Sequence, residues 1–168
     1  MIRRATAADL DQIMEIISHA VREMQAENVD QWNDGYPALS DFRSDAERGE
    51  LYVDESDQER GRLRGVVCIN RDEPEEYGAA DWSRNGPATV VHRLAVDPAF
   101  RNQGVARGLL RKAEELAAAD GSGYVRSDTY SLNVRMNALF VREGYVRAGT
   151  IRFPGRKEVF VCYDKVVG

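Results

Sequence analysis

The chain predicts an α/β domain with a mixed, largely antiparallel sheet flanked by helices. Three observations predict it. Apolar spacing switches between helical and alternating periods in the order β-α-α-β-β-β-α-β-α-β-β. Between Val90 and Leu110 a β-branched run passes through a glycine-containing turn directly into a helix. Tyr145–Phe153 and Glu158–Val166 then read as two strands turning at Pro154-Gly155, which closes the chain with an antiparallel pair. At 168 residues the chain fits one domain, residues 1–168, around a single core.

Each element has a local reason. Met1–Ala5 reads as a short edge strand, and Thr6 with Asp9 three positions on is a helix start. Leu10, Ile13, Met14, Ile17, Ala20, Val21 and Met24 then share one helical face. The turn-rich Gln31–Pro37 segment breaks that pattern and contains Trp32 and Tyr36, which either close the edge of the core or form a lid over a substrate. Ser40–Glu47 is a polar helix ended by Gly49. Leu51–Val53 and Leu63–Ile69 form a hairpin, and the polar stretch Arg71–Pro87 is long for a loop, which predicts a functional or mobile segment. Its Tyr77 and Trp82 are pocket aromatics or plugs. After the central helix, which Gly121 and Gly123 end, come a strand at Tyr124–Thr129 and a helix at Asn133–Glu143.

Composition narrows the function classes. A hydrophobic share of 43%, a charged share of 30% and a net charge of −5 describe a soluble globular chain. No Lys/Arg stripe marks a nucleic-acid partner, and no apolar run approaches the ~20 residues of a membrane span. Met1-Ile2-Arg3-Arg4 is not followed by the apolar core of a signal peptide, so a cytoplasmic location is expected. A homodimer is an allowed assembly. Cys68 and Cys162 lie in apolar, alternating stretches without metal-ligand spacing, so they read as structural thiols, with no metal.

The Arg101-Asn102-Gln103-Gly104-Val105-Ala106 turn is where chemistry is expected. A helix N-terminus leaves its first N–H groups unpaired and carries about half a positive charge, which suits a phosphate. Arg101 adds a formal charge at its mouth. This hexapeptide resembles the Arg/Gln-x-x-Gly-x-Gly/Ala pyrophosphate loop of the GCN5-related N-acetyltransferase (GNAT) superfamily, and Leu94-Ala95-Val96-Asp97-Pro98 before it resembles that family's pantetheine strand. Asn133, followed by Arg142, Gly144 and Tyr145, resembles a second signature of the family, in which the asparagine contacts the pantetheine. The resemblance implies a GNAT fold and an acetyl-CoA-dependent N-acetyltransferase acting on a primary amine of a small molecule. It also implies that Leu94, Ala95, Val96, Arg101 to Arg107, Asn133, Phe140 and Arg142 border the coenzyme, and that the Gln31–Pro37 loop, with Trp32 and Tyr36, borders the acceptor; Trp82 is a further candidate for the acceptor pocket. Transfer to a protein or peptide, or mere binding of an acyl-CoA, are the alternatives.

Phe140 stands where many members place a proton-donating tyrosine. Tyr130, or a water, is then the candidate acid, or the thiolate leaves unprotonated. For the base, His92 is placed on the same sheet face as Leu94 by strand alternation, and an ordinary histidine titrates near 6.5. The other reading of His92 is a hydrogen-bonded strand residue. Asp128 is the alternative catalytic group, as anchor for a cationic amine, unless it caps the helix that begins at Asn133. Arg93 is expected to face the opposite way and to be structural.

Overall fold

The computed structural model describes residues Met1 to Gly168. In chain order it contains β1 (Ile2–Arg4), α1 (Leu10–Ala26), α2 (Leu39–Glu47), β2 (Leu51–Glu55), β3 (Leu63–Asn70), β4 (Thr89–Val96), α3 (Val105–Ala119), β5 (Tyr124–Tyr130), α4 (Val134–Arg142), β6 (Val146–Ile151) and β7 (Phe160–Val166). The strands are hydrogen-bonded in the order β1-β2-β3-β4-β5-β7-β6. β4 and β5 run parallel, whereas β1–β2, β2–β3, β5–β7 and β6–β7 are antiparallel. The α/β class, the mixed sheet and the element order are those the periodicities predict. No helix is long and apolar enough to cross a membrane.

The chain forms two compact units, Met1–Ile69 with His92–Lys112, and Asn70–Val91 with Ala113–Gly168. β4 changes unit between Val91 and His92.

In the first unit, Leu10, Ile13, Ile16, Ile17 and Val21 of α1 pack with Phe42, Leu51, Val53, Leu63, Val66, Cys68 and Ala95. The helix start is fixed as expected: the Thr6 amide donates to Asp9 Oδ2 at 2.8 Å, and Arg3 forks onto the same carboxylate at 2.9 and 3.0 Å. Trp32 belongs to this core and is 7% exposed, so its indole is not the solvent-facing half of a lid. Tyr36 is 38% exposed. Trp32→Ala is therefore expected to act on stability, at about 3–5 kcal/mol, and a melting curve without ligand checks this. A melting temperature that stays put while only acceptor KM rises would restore the lid role.

Gly65 on β3 has a packing role that its place in an apolar run conceals. A Cβ there would lie 2.8 Å from Val105 Cγ1, 3.0 Å from the Ala95 carbonyl oxygen and 3.1 Å from Leu109 Cδ1. Its missing side chain lets the first turns of α3 sit against β3. Gly65→Ala should cost about 1–3 kcal/mol by overpacking, or roughly 2–4 °C per kcal/mol for a chain of this size, read as a lowered Tm.

In the second unit β5 and β7 pair along their full lengths, from Tyr124↔Val166 to Tyr130↔Phe160. The long Arg71–Pro87 segment is pinned rather than loose. The Asp81 amide donates to the Ala148 carbonyl at 2.8 Å, the Trp82 indole N–H to the Tyr77 carbonyl at 2.7 Å, and the Ser83 amide and hydroxyl to Asp164 at 2.6 and 2.7 Å. Arg84 also donates to the Ser122 carbonyl.

Candidate active site

β4 leads into the turn expected to bind phosphate. At its end the Asp97 carboxylate accepts from the Ala99 amide at 3.0 Å and from Arg62 at 2.8 Å, which closes a tight bend over Pro98. Asn102 (φ 62) and Gly104 (φ 79) then take left-handed conformations. Such a φ is strained for a residue with a Cβ and free for glycine. The Gly104 carbonyl accepts the first helical bond from the Gly108 amide at 2.9 Å, so Gly104 is the residue from which α3 starts. The amides of Val105 and Ala106 are first-turn donors for which helix geometry supplies no acceptor within the helix. Asn102, Gln103 and Gly104 are exposed, and a Cβ built on Gly104 meets nothing within 4 Å. The mouth of the turn is open, with α3's positive end behind it.

Arg101 departs from expectation. Both terminal nitrogens of its guanidinium lie on the Glu23 carboxylate of α1, one at 3.0 Å and the other closer. Its charge neutralises Glu23 and ties the turn to α1.

β4 itself is not a regular strand. Arg93 has φ 48, left-handed in mid-strand. Alternation does not carry through such a residue, so the argument that put His92 and Leu94 on one face does not hold. His92, Leu94 and Val96 are half-buried and Ala95 is buried. Arg93 is also more than a strand side chain, since its guanidinium reaches Asp45 of α2.

Asp45, Glu50 and Cys68 bring their ligand atoms within 4.8 Å of one another. Guanidiniums already fill this donor set: Asp45 takes Arg93 and Arg48, and Glu50 takes Arg48 at 3.0 Å. Burial pushes the Cys68 thiol up to about 12, and likewise Cys162, so neither supplies a thiolate near neutral pH.

The second unit holds a separate polar cluster on β5. The Tyr77 hydroxyl donates to Asp128 Oδ2 at 2.6 Å. Tyr77 is fully buried and its ring lies 4.9 Å from Trp82, which is covered in turn by the Arg126 guanidinium at 4.6 Å. Arg126 is held by Glu73 at 2.9 and 3.1 Å. Burial raises the Asp128 carboxyl to about 6, with the Tyr77 hydrogen bond pulling the other way. Asp128 does not cap the next helix, because Asn133 does: its Oδ1 accepts from the Met136 amide at 3.2 Å. Sequence reading missed the Tyr77 contact, since 51 positions separate the partners.

Two of the candidate side chains are buried. Tyr130 is fully buried, its hydroxyl accepts from the Glu158 amide at 3.0 Å, and its ring packs on Phe160. Phe140 is likewise fully buried, stacked on Tyr163 at 4.8 Å and edge-on to Tyr145 at 5.2 Å. Its ring therefore packs in the core of this unit. Arg142 is exposed at the end of α4, where a cation also suits the helix dipole.

With this geometry in place, the sequence profile of the acetyltransferase (GNAT) family matches residues 13–145. The chain belongs to the GNAT acetyltransferase family. Among solved structures, a GNAT-family acetyltransferase from Streptococcus agalactiae superposes with a TM-score of 0.86 at 29% identity, over 100% of this chain and 95% of that one. A Staphylococcus aureus protein gives 0.76 at 28%, over 100% and 99%. A Salmonella typhimurium protein solved with its cofactor acetyl-CoA gives 0.69 at 22%, over 100% and 94%, and shares the fold. No curated protein sequence matches the chain. The family match spans the Gly104 turn, Asp128 and Asn133.

Proposed function

We propose that this GNAT chain transfers an acetyl group from acetyl-CoA to a primary amine of a small molecule. The observation that carries the reading is the exposed turn at Asn102–Gly104, whose left-handed glycine opens α3 and with it the first-turn amides of Val105 and Ala106. Those amides and the helix dipole suit the coenzyme's pyrophosphate. Acetyl-CoA supplies the activated thioester. In the reaction the amine nitrogen bonds to the thioester carbon, the C–S bond breaks, and the amine loses a proton. The Leu94–Val96 backbone lies on the strand that leads into the phosphate turn and is the source of N–H groups for the thioester oxygen.

For the proton we prefer Asp128 to His92, on the grounds of its own titration and its hydrogen bond. Asp128 is a carboxylate raised to about 6 and held by a buried tyrosine, so it is ionised at neutral pH yet basic enough to accept a proton. With Tyr130 and Phe140 buried, the thiolate leaves as the anion, which a thiol of pKa about 8.5 permits near neutral pH.

The test is free-thiol release from acetyl-CoA across a panel of small amines and one peptide. Amine-dependent release, faster on small amines, is expected. Release on the peptide alone would move the acceptor to proteins, and CoA binding with no turnover on any acceptor would make the chain a binding module.

A further inference from the structure

Arg93 is the residue at which β4 departs from regular geometry, and its guanidinium is held on a buried carboxylate. Its φ of 48 is one that a residue with a Cβ avoids unless its surroundings enforce it. The enforcement is visible. Nε donates to Asp45 Oδ2 at 2.9 Å, and one terminal nitrogen lies 2.7 Å from each carboxylate oxygen. Asp45 is 1% exposed and takes a second guanidinium from Arg48 at 2.9 Å. The Arg93 guanidinium also lies 3.6 Å from Cys68 Sγ on β3 and 3.5 Å from the Tyr36 hydroxyl. One side chain thus joins β4 to α2, to β3 and to the exposed aromatic of the 31–37 loop. A planar fork locked on a buried carboxylate fixes direction as well as charge, which a lysine does not.

We propose that Arg93 is a positioning residue: its fork on Asp45 holds the kink in β4 that aims the Leu94, Ala95 and Val96 amides, and ties that kink to Tyr36. The role in transfer rests on the acetyltransferase reading above, while the structural role does not.

The two are separated by measuring nitrogen relaxation dispersion at Leu94, Ala95 and Val96 in the coenzyme-free protein alongside kcat, acceptor KM and CoA Kd. Three variants are needed. Arg93→Ala keeps the unfavourable φ and loses the fork, Arg93→Lys keeps the charge and loses the fork, and Arg93→Gly loses the fork but adopts the φ without strain. Arg93→Ala and Arg93→Lys are expected to show microsecond-to-millisecond exchange confined to those three amides. Their kcat should fall at least tenfold, with CoA Kd within threefold of the parent. Arg93→Gly should recover part of the kcat lost in Arg93→Ala. If Arg93→Ala does not fold, Arg93→Lys carries the same readouts. Flat dispersion in Arg93→Lys with parental kcat would overturn the proposal, because charge neutralisation of Asp45 would then suffice. Equal losses in the glycine and alanine variants would overturn the kink as the thing held. If the parent acetylates no amine, dispersion alone still decides the clamp, and that failure falls on the activity.

Discussion

Gly104→Asp is expected to weaken CoA binding by more than tenfold, the largest single effect on the coenzyme. Two costs combine. The left-handed φ of 79 is free for glycine and strained for any residue with a Cβ, although nothing within 4 Å obstructs the atom itself. The new carboxylate also sits where a pyrophosphate is to bind, and it competes for the same first-turn amides and helix dipole. Gly104→Ala isolates the backbone cost and should lose less. Isothermal titration with CoA at two salt concentrations measures both: the excess loss in the aspartate variant should shrink as salt screens it. If Gly104→Asp binds CoA like the parent, the phosphates lie elsewhere.

Asp128→Asn is expected to lower kcat/KM by roughly 10²–10⁴, the range for a lost general base, and to abolish its dependence on pH near 6. In the parent, kcat/KM should rise as pH rises through about 6, because the carboxylate must be ionised to accept a proton. A histidine base would titrate close by, near 6.5, so the profile alone does not separate the two candidates, but the variants do. His92→Ala should keep the acidic limb and Asp128→Asn should lose it; the reverse result would return the role to His92.

The same group carries a signature in stability. Its folded value of about 6 lies above the ordinary carboxylate value of about 3.9. The folded state therefore holds the proton more tightly between those values, and the contribution to stability present at low pH is lost as pH rises through about 6. Asp128→Asn, which never ionises, should melt higher than the parent at pH 8 while being nearly inactive. A lower melting temperature at pH 8 would mean that the ionised carboxylate stabilises its surroundings, and the base assignment would lose its physical ground.

What the sequence by itself determined is local. The period of apolar residues set the order of strands and helices, Thr6 with Asp9 marked the start of the first helix, and the Arg101–Ala106 turn marked where a strand gives way to a helix N-terminus. Each of these depends on residues within a few positions of one another, where spacing translates directly into geometry. Tertiary structure decided which side chains share a place. Composition gives Trp32 and Tyr36 the same label, but one is sealed in the core and the other is exposed. Tyr130 read as a candidate acid and Phe140 as a coenzyme contact, and in the fold the Glu158 amide and the ring of Tyr163 lie against them. Arg93 found Asp45 across 48 positions, and Asp128 found Tyr77 across 51. A buried charge is tolerated only with a partner of the right geometry. The fold selects that partner from anywhere along the chain, and no periodicity records the choice.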